Sequence, residues 1–269
     1  VSGGSEVRGV VRLERGERLP VSDHLAQESP LSVRIRSFDG TEIEYGFLMR
    51  TPGDDAALVL GLMFAEGIIS SKSDLIDCNI SDDEALLLLS ESAGPLPKHR
   101  LFTSNSSCGI CGRQHKPTNI VPDSPETSST PSISLSDLVS MRDIMGENQQ
   151  LFKKTGGVHA VARFSSNGTL VDIAEDVGRH NAMDRIVGRA FLAGSLPLSD
   201  EVVVLSGRIS YEMVEKAVRA GVAVLAAVGA ATTLAVDVAR AHGMTLVSFI
   251  SDERCNICSA AHRIIGDAD

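Results

Sequence analysis

The chain has 269 residues, 43% hydrophobic, 22% charged and 4% aromatic: ample length for one large or two medium domains, and a mix that excludes wholesale disorder and fibrous repeats. Its 25 Lys and Arg are outnumbered by 35 Asp and Glu, a net charge of -10 that argues against nucleic acid or anionic lipid as partners. The longest apolar run, residues 222–236, is too short to span a bilayer, and Val1-Ser2-Gly3-Gly4 has no basic-then-apolar character, so the expected location is the cytoplasm with no membrane partner.

In chain order, residues 7–13 and 31–38 alternate apolar and polar, the period of half-buried strands. Asp39-Gly40 tolerates positive φ and predicts a hairpin turn into a strand over 41–49. After Thr51-Pro52-Gly53 the spacing predicts a helix over 54–65 with acidic residues at its positive end, followed by short apolar runs over 75–80 and 85–89. Residues 103–133 are rich in Ser, Thr, Pro and Gly. They are expected to form a flexible loop and linker between a smaller N-terminal α+β domain over 1–102 and an α/β domain over 134–269. The second domain reads as a helix over 135–153, then strands over 158–164 and 169–173 around an Asn167-Gly168 turn. Helices over 181–192, 211–220 and 232–242 then alternate with strands over 202–205, 222–228 and 245–250. These last three strands are apolar throughout, as parallel strands covered on both faces should be. There is no internal repeat.

Ligands of a parallel α/β layer collect beyond the carboxyl ends of its strands. Three such ends carry suitable turns: Ser206-Gly207-Arg208, Gly229-Ala230-Ala231-Thr232 and the segment from Ser251 to Cys258 with Arg254. Gly admits a close ligand, Arg is a forked phosphate donor, and a helix start offers free N–H groups to an anion. Glu175-Asp176-Val177-Gly178-Arg179-His180-Asn181 packs two carboxylates, an Arg, a His and an Asn into one turn; helix capping by Asn181 or Asp176 is the plainer reading. Thr155-Gly156-Gly157-Val158-His159 is a similar helix-ending turn.

Five cysteines, an odd number, argue against a secreted disulfide framework. Cys108 and Cys111 form one C-x-x-C pair, Cys255 and Cys258 another, and Cys78 stands alone. Around Cys108-Gly109-Ile110-Cys111-Gly112 there is no acidic residue between Glu91 and Asp123, while Lys98, Arg100, Arg113, Lys116, His99 and His115 lie there. Such cations favour the thiolate. A four-thiolate zinc site using both pairs, a thioredoxin-like disulfide and a persulfide-carrying thiol all compete for this motif, and the accessible basic segment suits the last best. Zinc deaminase chemistry fails: no His is followed two residues later by Glu, and Ser107 and Arg254, not prolines, precede the pairs.

In this order, Arg50-Thr51-Pro52-Gly53-Asp54-Asp55, Glu66-Gly67-Ile68-Ile69, Ser107-Cys108-Gly109-Ile110-Cys111-Gly112, Thr155-Gly156-Gly157-Val158-His159, Glu175 to Ala182 and Ser206-Gly207-Arg208 resemble the FdhD/NarQ family of formate dehydrogenase accessory proteins, over roughly residues 15 to 265. The resemblance implies a cytidine deaminase-like three-layer α/β fold for the C-terminal domain. It also implies a sulfur carrier that takes sulfur from an IscS-type cysteine desulfurase as a cysteine persulfide and passes it to the molybdenum cofactor, bis-molybdopterin guanine dinucleotide, before that cofactor enters apo formate dehydrogenase. Guanine nucleotide binds such proteins as a mimic of the cofactor, and a homodimer is an open option. By position, Cys108 matches the persulfide cysteine, with Cys111 as its partner. Phe249, Ile250, Ser251, Asp252, Glu253 and Arg254 match the cofactor-binding stretch. Ser206, Gly207 and Arg208, with Gly178, Arg179, His180 and Asn181, are expected as further cofactor contacts; no resident metal is expected. The chain departs from the family where Gly229-Ala230-Ala231-Thr232 replaces Ser-Ala-Pro-Thr, where Ser251 replaces an Arg, and where Cys258-Ser259 replaces Tyr-Thr. The last change creates the second C-x-x-C. A cofactor chaperone that moves no sulfur and a zinc-stabilised binding module remain the alternatives.

Overall fold

The computed structural model describes residues 4–94, 96, 102–104 and 131–266. β1 (Ser5–Glu14) and β2 (Glu17–Ala26) form an antiparallel ribbon turning at Arg15-Gly16, both at positive φ. The charged, Pro20-containing β2 has no alternation, which is why only its partner shows in the sequence. Next come β3 (Ser29–Arg36), β4 (Glu42–Arg50), α1 (Asp55–Ala65), β5 (Leu75–Ser81), β6 (Glu84–Leu89) and β7 (Phe102–Ser104). The strands make one five-stranded sheet in the order β5-β6-β3-β4-β7. Alternation in β3 puts Leu31, Val33 and Ile35 on the buried face, where they pack with Leu58, Leu60 and Met63 of α1.

After β8 (Ile133–Ser134), α2 (Leu135–Asn148) starts from a capping box in which Ser134 and Asp137 satisfy each other's end of the first turn. The predicted helix over 135–153 does not run through. It breaks at Gln149, and α3 (Gln150–Thr155) begins afresh, because the Glu175 carboxylate accepts the Leu151 and Phe152 N–H groups at 2.8 Å each. The remaining elements are β9 (His159–Ser165), β10 (Leu170–Asp176), α4 (Arg179–Ala193), β11 (Glu201–Leu205), α5 (Tyr211–Arg219), β12 (Val224–Ala227), α6 (Thr233–Ala241), β13 (Thr245–Ser248), β14 (Asn256–Ser259) and β15 (Ile264–Ile265). Six of them form a sheet in the order β10-β9-β11-β12-β13-β14. β11, β12 and β13 are parallel, as their apolar runs require, and β9, β10 and β14 add antiparallel flanks. β13 stops two residues earlier than expected because Phe249 turns the chain at φ 55, and it is not the last strand: β14 folds back on it. One face of this sheet is covered by α4, α5 and α6, the other by α2.

The two sheets are joined through α1 and α4. Gly61 and Gly188 bring these helices into backbone contact: a methyl on Gly61 would lie 1.8 Å from the Asp184 carbonyl oxygen, and one on Gly188 1.8 Å from that of Ala57. Among the described residues, no helix is long and apolar enough to cross a membrane.

Candidate functional site at the carboxyl edge of the parallel strands

Register fixes what meets at this edge. Leu205 pairs with Val161, and Asp176 with His159, so the end of β11, the start of β9 and the end of β10 lie at one rim. The turns after β12 and β13 join them: Gly229 N–H donates to the Gly207 carbonyl at 3.2 Å, and Phe249 N–H to the Gly229 carbonyl at 3.2 Å. Five loops scattered through the sequence, 156–159, 176–181, 206–208, 229–232 and 249–254, therefore share one surface. Two of them touch closely enough to need glycine. A methyl on Gly229 would sit 2.6 Å from the Gly207 carbonyl oxygen, and one on Gly207 would meet the His159 ring at 3.3 Å.

Three arginines, Arg179, Arg208 and Arg254, stand on these loops, together with the carboxylates of Asp176, Asp252 and Glu253. His159 is half-buried, and burial holds it below the ordinary imidazole value, with the neighbouring charges of Arg179, His180 and Arg208 lowering it further against the pull of Asp176. Arg208 and Arg254 are exposed. His180 Nε2 lies 2.8 Å from Glu212 Oε2 at the start of α5. The Ser206 hydroxyl is engaged as acceptor of the Ala160 N–H at 2.8 Å, which extends the β9–β11 ladder beyond its last regular pair.

Asp176 and Asn181 face the other way. The fully buried Asp176 carboxylate accepts from the Gly178 N–H and the Asn181 amide at 2.9 and 2.8 Å, and from Arg185 Nη2 at 2.9 Å. Burial raises its pKa while Arg185, Gly178 and Asn181 oppose that rise. The Asn181 amide also donates to the Met49 carbonyl at 2.8 Å, the Val177 N–H to Thr51 Oγ1 at 3.1 Å, and Arg185 to the Thr51 and Gly53 carbonyls. Arg50 in turn grips Asp55 through two nitrogens at 3.1 and 3.0 Å. The sequence motif around Thr51 and the one around Asp176 thus hold each other, and Asn181 serves that clamp. Ser104, at the end of β7, pairs with Leu48, next to Met49.

In the 249–254 turn, Ile250 is buried, while Phe249 is 48% exposed in the left-handed region that a bulky residue seldom adopts. The Ser251 N–H and hydroxyl donate to the Arg254 carbonyl at 2.9 and 3.0 Å, closing the turn. Asp252 accepts from Arg142 of α2 at 2.6 Å, and Glu253 is exposed. Arg142 also borders an open cleft of about 980 Å³, lined by Lys153, His159 and Ser206 together with the carboxylates of Asp143 and Glu147. Arg142, Arg185 and Glu212 carry no sequence motif. Only the four-residue spacing of Glu212 and Lys216 on a helix beginning just after Arg208 hints at one of them.

Cys108 and Cys111 lie outside the described residues. Cys255 packs against the core on the α2 side of the sheet and Cys258 against the core on the α4–α6 side, so the second pair is divided between opposite faces. Burial, then the nearby Cys258, raises the Cys255 pKa. Among the described residues no group of three or more His, Cys, Asp or Glu side chains is arranged to hold a metal.

Residues 26–265 match the model of the FdhD/NarQ family. The chain is 39% identical to the sulfur carrier protein FdhD of Streptomyces avermitilis over 97% of this chain and 95% of that one. It is 38% identical to the protein of the same name from Sulfurisphaera tokodaii, over 90% and 92% of the two chains. A crystal structure described as a formate dehydrogenase accessory protein from Desulfotalea psychrophila superimposes with a TM-score of 0.76 at 23% identity, over 97% of this chain and 99% of that one, which shows a shared fold. With a family model spanning almost the whole sequence and relatives this similar over nearly their full lengths, the chain belongs to the FdhD/NarQ family.

Proposed function

We propose that this chain is a sulfur carrier for formate dehydrogenase in the cytoplasm, loading sulfur on Cys108 from an IscS-type cysteine desulfurase and delivering it to bis-molybdopterin guanine dinucleotide docked at the sheet edge. The observation that carries this reading is the convergence of five loops, with Arg179, His180 and Arg208 around His159, beside a cleft of about 980 Å³. The anionic cofactor is the substrate there. Its phosphates meet Arg208, Arg254 and the helix-start N–H groups of α4 and α6, and Phe249 offers an exposed ring face to a base. Cys108 stands four residues after Ser104, and four residues of chain reach at most about 14 Å. Ser104 pairs with Leu48, beside the Met49 carbonyl that holds Asn181, so β7 ends next to the strand that anchors the 176–181 turn.

In loading, the Cys108 thiolate attacks the outer sulfur of the desulfurase persulfide. The desulfurase S–S bond breaks, its cysteine leaves as thiolate, and Cys108 holds the new S–S bond. In delivery the Cys111 thiolate attacks the Cys108 sulfur: the persulfide bond breaks, its outer sulfur leaves as sulfide to the cofactor, and the Cys108–Cys111 disulfide left behind is reduced by a cellular dithiol before the next round. The test is intact-mass measurement after incubation with a desulfurase and cysteine. Wild type should gain one sulfur atom and Cys108→Ala none; equal gain by both, or no gain by wild type, refutes the assignment. If Cys108→Ser supports full formate dehydrogenase activity in cells, the protein is instead a cofactor chaperone that moves no sulfur.

A further inference from the structure

Beneath the site, α4 and α5 face each other through two acid–base rungs one helical turn apart. His180 meets Glu212 at 2.8 Å, and Lys216 Nζ donates to Asp184 Oδ1 at 2.6 Å. The side chains of the first rung keep 13% and 9% exposure, those of the second 11% and 4%, so four ionisable groups are lodged inside the protein. Buried charges are retained only when paired. Burial raises the Asp184 pKa against Lys216 and His180, with Glu66 adding to the rise.

The lower rung has an evident structural role in offsetting charge between packed helices. The upper rung is different, because His180 belongs to the sheet-edge turn. Its Nε2 is buried 2.8 Å from the Glu212 carboxylate, at an angle that leaves the hydrogen bond unmade in this structure, so the ring's exposure is on its other atoms. Facing it are Glu212 from α5, Asp184 from α4 and His159 from β9; Lys216 faces it through Asp184, and Arg179 and Arg208 share His159 with it. A carboxylate that fixes one ring nitrogen decides what the other presents.

Resting on the nucleotide-docking reading above, we infer that Glu212 is a positioning residue for His180: it keeps Nε2 turned into the protein, so that His180 meets the anionic nucleotide through Nδ1. The neutral ring then carries its proton on Nε2 and offers a lone pair at Nδ1; the protonated ring offers an N–H there to a phosphate oxygen.

The test combines long-range proton–nitrogen spectra of the histidine rings above pH 8 with calorimetry using guanosine diphosphate. Wild-type His180 should be the Nε2–H form. Glu212→Gln, which keeps an acceptor, should retain that form and bind the nucleotide within about threefold of wild type; Glu212→Leu should lose the single form and bind about tenfold more weakly. A wild-type His180 with its proton on Nδ1 overturns the inference, whatever the variants do. So does Glu212→Leu with unchanged ring signals and affinity and only a lowered melting temperature. If wild type binds no guanosine diphosphate, the nucleotide reading falls, while the ring signal still decides whether Glu212 positions His180.

Discussion

Gly61→Ala puts two opposed effects into one contact. In a helix interior, Ala is favoured over Gly by about 1 kcal/mol. Here the added methyl would stand 1.8 Å from the Asp184 carbonyl oxygen and 2.8 Å from the Gly188 nitrogen, both backbone atoms of α4 that no rotamer change can move. Carbon and oxygen tolerate about 3.3 Å, so α1 and α4 must separate by roughly 1.5 Å. A gap of about 0.5–1 Å already forfeits a quarter to a half of each dispersion contact. Overpacking against rigid backbone therefore outweighs the propensity gain, and the expected net loss is about 2–3 kcal/mol. Urea unfolding should show a midpoint lowered by a corresponding amount with its slope unchanged. Gly188→Ala should behave alike, and the double variant should lose less than the sum, because the first methyl opens the space the second needs. A Gly61→Ala protein as stable as wild type, or more stable, would refute the backbone crossing as the joint between the two sheets.

Arg185→Met leaves the Asp176 carboxylate buried without its cation, and thermal unfolding should report a loss of about 3–5 kcal/mol; less than about 1 kcal/mol would show the clamp to be dispensable. Burial works to raise the Asp74 pKa, but donors from Ser70, Ser71 and Ser92 overcome it and hold the group at about 2 against an ordinary 3.8. Its stabilisation is therefore complete above the ordinary value and lost as pH falls toward 2, so Asp74→Asn should cost about 2 kcal/mol at neutral pH and flatten the acid limb of a stability titration. Arg208→Ala should weaken guanosine diphosphate binding about tenfold in calorimetry; unchanged affinity removes Arg208 from the site. Because Cys255 and Cys258 pack on opposite faces, a variant with both changed to Ser should load sulfur like wild type, and a chelator should leave the melting temperature unchanged.

What the sequence made legible was what depends on local periodicity. The apolar runs of β11, β12 and β13 announced parallel strands covered on both faces, and with them the edge at which the turns meet. What it concealed depends on partners brought from far along the chain. The break at Gln149 is made by Glu175, which supplies a second helix start that no residue between 135 and 153 encodes. Asn181 read as a ligand contact from its place beside Arg179 and His180, yet its amide is spent on Met49 and Asp176, because that turn must also anchor the segment after β4. The sequence left the role of Cys255 and Cys258 open between packing, a sulfur relay and metal; three residues apart in an extended segment, their thiols fall on opposite sides and pack against different cores.

The clasp between the Thr51 and Asp176 turns, with the backbone crossing of α1 on α4, also governs how the molecule responds to scission. A protease cutting between Ser104 and Pro131 would sever the peptide connection but none of these bonds, so the two fragments should stay together through size-exclusion chromatography. Produced separately, each half would expose a bare helix groove and unanswered charges, and should gain its native fold only on mixing, which makes this protein a natural substrate for a split reporter of its own assembly.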